Sequence, residues 1–409
     1  MLQVKSLADT IEIIRSAFSE CVTGAETIRL AEAAGRVLAS EITAKEDNPP
    51  FARSSLDGYA IRAEDTFGAG EAIPAMLSLA GEVRVNEKPQ FGLKPGQAVY
   101  IPTGGCLPAN ADAVAMIEIA EVLGDQVLIS SAVAPGTGIV FQGEDAKSGE
   151  IIIKSGQKLA ERHIGALAAL GYQNVEVKKK IKCAVISTGD ELFPIDEQLT
   201  GNGKAGVRDV NSHLLKAQAE SFGCEAQLYG ICRDDEFEMA ELVQKAHEEC
   251  DVVLLSGGSS AGVMDLTKLV FQKSAGADIL IHGIAIKPGK PTIIAKAGGK
   301  ALIGLPGHPV SAFFVMISVV APLLEVLNGL PAEPLSFIMA KLADKIPSNH
   351  GREDFVPVRI SGAGDDISAN EVPYKSGLIT LLSGSDGYIR IPRLTEGLDA
   401  GVDVKVYRY

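Results

Sequence analysis

Hydroxyl and carboxylate side chains stand side by side in the middle of the chain, in the segment Ser187-Thr188-Gly189-Asp190-Glu191. This segment directly follows the apolar run 183–186, which is typical of a buried strand. Carboxylate oxygens are the ligands that Mg²⁺ prefers in proteins. Thr188, Asp190 and Glu191 are therefore candidates for a site that binds a metal ion and phosphate. The alternative is an ordinary aspartate N-cap at the start of a helix.

A glycine-rich segment, residues 256–262, follows the next apolar run. Glycine lets backbone N–H groups approach a phosphate closely, and the N-terminus of a following helix favours negative charge. Gly257, Gly258 and Ser259 are therefore candidates to bind phosphate, and Asp265 is a candidate to hold a bridging cation. A simple turn, followed by an acid in the first helical turn, explains the same residues.

Two further loops combine proline and glycine with groups that attract anions. Lys287-Pro-Gly-Lys290-Pro presents two lysines on a stiff turn, although a solvated hairpin is an equal alternative. Pro306-Gly-His308-Pro309 leads into an apolar helix, whose N-terminus could bind an anion or could simply end a rigid turn. One such loop is weak evidence, but four loops of this kind favour a large anion pocket.

The elements between these loops must bring them together. From Ile181 onward, apolar runs alternate with helical segments, which are predicted over Asn211–Phe222, Glu236–Glu249 and Val310–Leu327. This alternation predicts a parallel α/β sheet over residues 181–330. Because ligands bind at the carboxyl ends of the strands in open α/β sheets, we expect the loops to meet at one sheet edge.

The residues outside 181–330 show different patterns of apolar and turn-forming residues. Residues 1–45 are predicted to be helical and, together with residues 145–180, to form an elongated N-terminal domain. Residues 46–144 show short β-like runs separated by Gly and Pro, which predicts an inserted β-domain. Residues 331–409 show short β segments typical of a small β-barrel. The expected fold class is therefore multi-domain, α/β plus β.

Composition argues against several classes of protein. The net charge is −14 and Trp is absent, which disfavours nucleic-acid partners. Six cysteines without a C-x-x-C pair fit reduced thiols in a cytoplasmic protein. The phosphate-loop motif G-x-x-x-x-G-K-[ST] does not occur, which argues against a P-loop NTPase.

No membrane partner is expected. The stretch Ala301–Leu324 carries no charged residue, but a proline-rich turn and Pro322 interrupt it. The continuous helix is therefore predicted to be too short to cross a bilayer, and a buried strand, a tight loop and a core helix are expected instead.

The four loops, in this order, resemble those of the molybdopterin molybdenumtransferase family, which includes the E domain of gephyrin. Three further segments resemble family motifs: Asn48–Ala60 is similar to S-x-M-D-G-Y-A, Ile101–Val114 to T-G-x-x-x-P…A-D-A-V, and Gly143-Glu-Asp145 to G-E-D. Lys375-Ser376-Gly377 is similar to the family's C-terminal pattern. The resemblance covers essentially the whole chain and implies that residues 181–330 adopt the molybdopterin-binding fold.

The resemblance implies a specific reaction. Adenylylated molybdopterin binds, AMP is released, and molybdate is ligated by the dithiolene sulfurs with Mg²⁺ present. Asp190, Glu191 and Asp265 match acids associated with the metal, and Asp57 is expected to be catalytic with them. The remaining matched positions are expected to bind substrate; they are Thr103, Asp145, Thr188, Gly257, Gly258, Ser259, Lys287, Lys290, Pro306, Pro309 and Ser376.

Family members are homodimers whose cleft joins the α/β domain of one subunit to the β-domain of the other. The resemblance therefore implies a homodimer in which Asp57 and Asp265 serve one site, and a transient contact with the molybdopterin adenylyltransferase. Two alternative functions stay open at this point, namely a gephyrin-like binding scaffold and molybdopterin adenylylation itself. The choice between molybdate and tungstate is open as well.

Three positions depart from the family pattern. Val140 stands where an arginine often precedes G-E-D, His308 replaces a common asparagine, and Val210 replaces a frequent serine or threonine. A missing arginine would remove a bidentate contact to an oxyanion. These departures concern the affinity for the oxyanion more than the class of reaction.

Overall fold

The structure is a computed structural model that describes residues 4–199, 205–257, 261–331, 335–364 and 366–409. The chain forms two compact units. The first comprises Met1–Glu26, Gly35–Val37 and Val177–Tyr409, and the second comprises Thr27–Ala34 and Leu38–Glu176. The predicted division into four finer domains stays a prediction.

The first helix, α1 (Leu7–Phe18), is shorter than the sequence suggests. Ser6 caps it by accepting a hydrogen bond from the Asp9 N–H at 3.1 Å, and its apolar face buries Ile14 and Phe18. A strand, Ala25–Arg29, and a single 3-10 turn, Leu30–Glu32, then follow, so the prediction that residues 1–45 are helical is wrong beyond Phe18 apart from this turn. Exposure alternates along this strand with a period of two, because neighbouring side chains of a strand point to opposite faces.

The second unit contains a six-stranded β-sheet. Its strands are β1 (Gly58–Ile61), β2 (Ala75–Glu82), β3 (Gln97–Ile101), β4 (Ala113–Met116), β5 (Ala120–Leu123) and β6 (Gln126–Ile129). They are ordered β4-β1-β3-β2-β6-β5, and only the β2–β3 pair is parallel. Buried apolar residues cover both faces, which supports the predicted β-rich segment within residues 46–144.

Shorter elements complete this unit. The helix α2 (Glu161–Ala169) lies in the segment 145–180, which the sequence analysis assigned to the elongated N-terminal domain. Two short antiparallel pairs join strands that are distant in sequence: Arg53–Ser54 pairs with Ile139–Val140, and Ile42–Thr43 pairs with Ile151–Ile153.

The α/β sheet of the first unit has six strands. They are β7 (Lys182–Thr188), β8 (Glu225–Cys232), β9 (Val252–Gly257), β10 (Asp278–His282), β11 (Ile293–Ala297) and β12 (Lys300–Leu305). Their order is β8-β7-β9-β12-β11-β10. The helices α3 (Asn211–Ser221), α4 (Glu236–Glu249) and α5 (Ala261–Ala275) connect them, and the first two agree with prediction.

Both faces of this sheet are buried. Along β7, Cys183 and Val185 pack into one apolar cluster, whereas Ala184 and Ile186 pack into another on the opposite face. Helices therefore cover both sides, which explains why the strands appear in the sequence as continuous apolar runs instead of alternating ones.

The sheet is not wholly parallel, which corrects the prediction. Strands β7, β8, β9 and β12 run parallel, but β11 is antiparallel to β12 and β10 is antiparallel to β11. The turn between β11 and β12 contains Gly298 and Gly299 with φ of 54° and 84°. Two consecutive residues with positive φ form a tight hairpin, whereas a parallel connection needs a long crossover.

One long apolar helix spans Pro309–Leu327, with a π-helical turn, Met316–Val320, between α6 (Pro309–Val315) and α7 (Ala321–Leu327). The prediction that Pro322 interrupts it is wrong. Proline cannot donate the usual backbone hydrogen bond. The π turn just before Pro322 changes the local bonding pattern, so the helix continues without that bond. By length and composition alone this helix could cross a membrane, but 67% of its apolar window is buried inside the protein, as in a core helix.

The C-terminal part forms a closed five-stranded β-barrel. Its strands are β13 (Phe337–Leu342), β14 (Glu353–Ser361), β15 (Ser368–Glu371), β16 (Gly387–Ile391) and β17 (Asp403–Arg408). Neighbours pair in the order β14-β15-β13-β17-β16, and β16 pairs with β14 to close the ring. The short strand Ile286–Lys287 joins the barrel beside β14, which connects the barrel to a loop of the α/β part.

Candidate active site

A pocket of about 300 Å³ lies at the carboxyl ends of β7, β9 and β12. We call it the sheet-edge pocket. Its lining consists of Ser187, Thr188, Glu191, Leu192, Val207, Arg208, Asp209, Val210, Asn211, Ser256, Gly257, Gly307, His308, Pro309 and Gly377. Three of the four predicted loops therefore contribute to one site, as expected for an open α/β sheet.

Gly257 is required where β7 and β9 end. A Cβ atom at this position would lie 2.0 Å from Thr188 Cγ2 and 2.5 Å from the Thr188 carbonyl oxygen. Such distances are far below van der Waals contact, so no other residue fits without moving the strand. The Thr188 hydroxyl donates to Asp234 Oδ1 at 2.6 Å, which fixes the side chain at this edge. Gly258 and Ser259 lie outside the described residues.

The two predicted acids after β7 are exposed and adjacent. Glu191 lines the pocket, whereas Asp190 does not. Asp190 Oδ1 accepts a hydrogen bond from the Asp234 N–H at 3.4 Å. The loop is therefore positioned against the segment that follows β8, while both carboxylates stay open to solvent.

Asp209, a lining residue that the sequence analysis did not select, organises the start of α3. Its buried Oδ1 accepts hydrogen bonds from the Ser187 hydroxyl at 2.9 Å and the Ser212 N–H at 3.1 Å. Val210 occupies the N-cap position and has no polar side chain to offer. Asp209 satisfies the helix N–H group instead, so the departure at Val210 is compensated by the neighbouring residue.

Asn211 is a second lining residue missed from the sequence. Its amide nitrogen donates to the Ser256 hydroxyl at 2.7 Å and to the Gly307 carbonyl at 2.9 Å. Its Oδ1 is buried and accepts no hydrogen bond from the residues that the structure describes. A buried acceptor without a donor is costly, so this atom suits a ligand that supplies an N–H or O–H group.

A second cavity, of about 450 Å³, is lined by the predicted lysines. We call it the lysine cleft. Its residues are Ile286, Lys287, Pro288, Gly289, Lys290, Pro291, Ser311, Arg352, Glu371, Tyr374 and Ser376. Three cations and one carboxylate make it positive in a chain whose net charge is −14. A guanidinium, two ammonium groups and hydroxyls are the donors that a tetrahedral oxyanion requires.

Arg352 and Ser311 could not have been found from the loop motif, because they are distant from it in sequence. Arg352 immediately precedes β14, and Ser311 lies in the first turn of α6. Tyr374 donates its hydroxyl to the Phe355 carbonyl at 3.1 Å, and burial raises the pKa of Tyr374 well above its usual value. It therefore stays neutral and lines the cleft without adding charge.

Lys287 is anchored, whereas Lys290 is exposed. Lys287 Nζ lies 3.0 Å from Asp354 Oδ2, which also accepts from the Ser348 hydroxyl at 2.9 Å. Asp354 is only 2% exposed, and its Oδ1 has no partner among the described residues. The buried carboxylate therefore fixes one lysine of the cleft and leaves the other free to approach a ligand.

The two cavities are joined by a hydrogen bond. His308 lines the sheet-edge pocket and its Nδ1 lies 2.8 Å from the Ser376 hydroxyl, which lines the lysine cleft. Pro309 lines the pocket at the first position of α6, while Pro306 is buried before it and is not a lining residue. The fourth predicted loop thus lies between the two cavities, and its His308 bonds across to the lysine cleft.

Asp265 lies elsewhere on the same edge. It is exposed on α5 and is not among the residues that line the sheet-edge pocket. Its charge acts on His282, at the end of β10. Burial lowers the pKa of His282, the positive charge of Lys268 lowers it further, and the carboxylate of Asp265 opposes both effects.

The second unit brings together two of the predicted site residues, Asp57 and Thr103. Asp57 Oδ1 accepts hydrogen bonds from the Thr103 N–H at 2.7 Å and from the Thr103 hydroxyl at 3.1 Å. Asp145 pairs separately with the Asn48 amide at 2.7 Å. Val140 is partly buried opposite Arg53 in a two-stranded pair, and its effect on oxyanion affinity stays a prediction.

Within the described ranges, no group of three or more His, Cys, Asp or Glu side chains could hold a metal ion. Asp190, Glu191 and Asp265 therefore do not form a preassembled three-carboxylate site. Mg²⁺ commonly takes one or two protein carboxylates and completes its shell with water and substrate phosphates. The adjacent, exposed acids Asp190 and Glu191 fit that mode of binding.

Comparison with known families covers almost the entire chain. The MoeA N-terminal region (domain I and II) matches residues 5–171, a probable molybdopterin binding domain matches residues 184–326, and the MoeA C-terminal region (domain IV) matches residues 339–409. A molybdopterin molybdenumtransferase of Staphylococcus epidermidis is 32% identical over 93% of this chain and 90% of its own length. The chain belongs to the molybdopterin molybdenumtransferase (MoeA) family.

Other relatives agree with this membership. A putative molybdopterin biosynthesis protein of Methanocaldococcus jannaschii is 33% identical over 93% of this chain and 91% of its own length. The crystal structure of a MoeA molybdopterin biosynthesis protein from Pyrococcus horikoshii superimposes with a TM-score of 0.85 at 33% identity, with complete coverage of both chains. The predicted MoeA fold class, a multi-domain α/β plus β protein, is therefore confirmed.

Proposed function

We propose that this protein is a molybdopterin molybdenumtransferase, which inserts molybdate into the dithiolene of adenylylated molybdopterin and releases AMP in molybdenum cofactor biosynthesis. One observation carries the proposal: a cationic cleft suited to an oxyanion adjoins a pocket at the sheet edge, and the His308–Ser376 hydrogen bond joins them. A reaction that unites an oxyanion with a phosphorylated pterin needs two such neighbouring sites.

The sheet-edge pocket would bind the pterin and its phosphates. Thr188 and Gly257 present a hydroxyl and close-approaching backbone at the strand ends, and Asn211 offers a buried acceptor to a ligand N–H group. The chain thus contributes orientation, because these groups are held by their own hydrogen bonds before a ligand arrives.

The lysine cleft would bind molybdate. Arg352 can offer two parallel N–H donors, Lys290 a mobile charge, and Ser376 and Ser311 hydroxyl donors. Concentrating these donors at one place would hold the oxyanion beside the pterin against the negative net charge of the chain.

Asp190 and Glu191 would hold Mg²⁺ together with the phosphates of the substrate. Bound there, the ion would neutralise phosphate charge and favour loss of AMP. Asp265 is proposed to act near the same edge. The resemblance assigns it to the metal with Asp190 and Glu191, and its charge also raises the pKa of His282.

Further proposals rest on the family resemblance. They are a homodimer in which Asp57, Thr103 and Asp145 complete the cleft of a partner subunit, a cytoplasmic location, and a transient contact with the adenylyltransferase. The scaffold alternative has no support in the comparisons. The adenylylation alternative lacks it too, since the relatives called molybdenumtransferases match the chain well beyond its α/β domain.

The test mixes the purified chain with adenylylated molybdopterin, Mg²⁺ and either molybdate or tungstate, and measures AMP release and pterin-bound metal. We expect AMP release that depends on the oxyanion, with one metal bound per pterin. Loss of this response in Arg352→Gln, with normal pterin binding, would support the assignment of the cleft. AMP formation without any oxyanion uptake would contradict the proposed transfer.

A further inference from the structure

The contact between His308 and Ser376 is held by more than one bond. In addition to the 2.8 Å contact of His308 Nδ1 with Ser376 Oγ, the Val310 N–H donates to the Ser376 carbonyl at 3.1 Å. Val310 belongs to the first turn of α6, so its N–H has no acceptor within that helix. The segment around Ser376 is therefore attached to the N-terminus of α6 through its backbone. This attachment holds the Ser376 hydroxyl within hydrogen-bond distance of the His308 imidazole.

The serine hydroxyl has a single proton, so the direction of this hydrogen bond matters. If Ser376 donates to an unprotonated Nδ1, it has no proton left for a ligand in the lysine cleft. If Nδ1 carries the proton, Ser376 accepts from the imidazole and its own O–H is available. An oxyanion offers only acceptors, so Ser376 can bind it as a donor only in the second arrangement.

We propose that His308 is a positioning residue that makes Ser376 a donor to the bound oxyanion by donating its own Nδ1 proton to Ser376 Oγ. This inference rests on the proposed function, in which molybdate occupies the lysine cleft. It also assigns a role to one of the departures from the family pattern. Asparagine, the common residue at this position, carries its amide nitrogen at the same δ position and can donate in the same way.

Two substitutions of similar shape separate donation from packing. His308→Asn retains a donor nitrogen at the δ position. His308→Leu introduces a side chain that is branched like asparagine but has no polar atom. Equilibrium dialysis of the full chain against sodium molybdate, with molybdenum measured in both compartments, gives the dissociation constant without relying on turnover. We expect about tenfold weaker binding for His308→Leu and a change within about twofold for His308→Asn.

A double substitution tests whether His308 acts through the serine. Ser376→Ala alone should weaken molybdate binding by about tenfold, because it removes one donor to a charged ligand. In the Ser376→Ala background, His308→Leu should then cost less than about twofold, because the hydroxyl that it orients is gone. Melting curves of all four variants will identify any loss of fold.

The outcomes distinguish this inference from the proposed function. Unchanged molybdate affinity in folded Ser376→Ala would contradict the lysine cleft as the oxyanion site, and with it the basis of this inference. Normal weakening in Ser376→Ala, combined with unchanged affinity in His308→Leu, would overturn the role of His308 alone. Equal weakening by His308→Asn and His308→Leu would also overturn it, since packing instead of donation would then explain the effect.

Discussion

The amide nitrogen of Asn211 donates to the Ser256 hydroxyl across 2.7 Å, which ties the first turn of α3 to the carboxyl end of β9. Asn211 Oδ1 is left buried and without a donor in the described part of the chain. This pair shows how the sheet edge is prepared for a ligand. The amide nitrogen bonds to residues of the fold, and the amide oxygen stays available to a ligand.

Replacing Asn211 by leucine should therefore weaken both the fold and the binding of adenylylated molybdopterin. We expect a loss of about 1–3 kcal/mol in unfolding free energy and about tenfold in pterin affinity. Asn328→Leu is the matched control, since the Asn328 side chain donates to the Leu324 carbonyl at 3.0 Å, at the C-terminal end of α7 and outside both cavities. Pterin titrations in which both variants lose affinity equally would refute a specific contact.

The two lysines of the cleft should respond differently to substitution by methionine. Lys287→Met leaves the buried carboxylate of Asp354 without its cation, so we expect a loss of about 1–3 kcal/mol in unfolding free energy. Lys290→Met removes an exposed charge and should change stability by less than about 0.5 kcal/mol. Urea unfolding curves measure both; comparable stability loss in the two variants would contradict the anchoring of Lys287.

Arg352→Gln should reduce molybdate affinity by about tenfold or more while leaving pterin affinity unchanged, because a bidentate, charge-assisted contact is lost. Arg393→Gln is the control, as this exposed arginine lines neither cavity. Dialysis against molybdate and titration with the pterin measure the two affinities separately. A selective loss of pterin affinity in Arg352→Gln would show that the cleft was assigned to the wrong ligand.

The charges around His282 predict opposite shifts in two variants. Asp265→Asn removes the influence that raises the pKa of His282, so the pKa should fall further below its usual value of 6.5. Lys268→Met removes an influence that lowers it, so the pKa should rise. NMR titration of the imidazole measures both shifts. Shifts of the same sign in both variants would contradict this arrangement of charges.

The depressed pKa of His282 also sets a dependence of stability on pH. The unfolded chain binds the proton more readily than the folded one, so unfolding free energy rises with pH across this interval. The contribution of His282 is complete above pH 6.5 and is lost as the pH falls through the lowered pKa. Between pH 7.5 and pH 5, the melting temperature should therefore fall further in Asp265→Asn than in Lys268→Met.

The proposed shared cleft predicts complementation between inactive chains. Asp57→Ala and Asp265→Ala should each lack activity alone, and co-refolding them should restore part of it, because some heterodimers would carry one intact site. Refolding each variant with itself provides the control. A fully active monomer in light scattering, or no recovery in confirmed heterodimers, would contradict a site built from two subunits.

Local sequence was sufficient to predict much of the α/β domain. The helix Glu236–Glu249 agrees with its prediction to the residue, because Asp235 provides an N-cap and amphipathic spacing continues to its end. The order of strands and loops also placed Thr188, Gly257 and Pro309 around one pocket. Chain order suffices here, since parallel strands joined by helices all present their carboxyl ends on one side.

Other features depended on tertiary context. Pro322 does not end its helix, because the preceding π turn and a buried environment override the local preference. Residues 25–29 pair as a strand despite an alanine-rich helical pattern around them. Arg352 enters the lysine cleft only because β14 of the barrel pairs with the strand Ile286–Lys287, whose register partners lie 67 residues further along the chain. The sequence therefore determined which groups could bind a pterin and an oxyanion. Only the pairing of distant strands decided which of those groups share a cavity, because long-range contacts leave no periodic signal in the segments that make them.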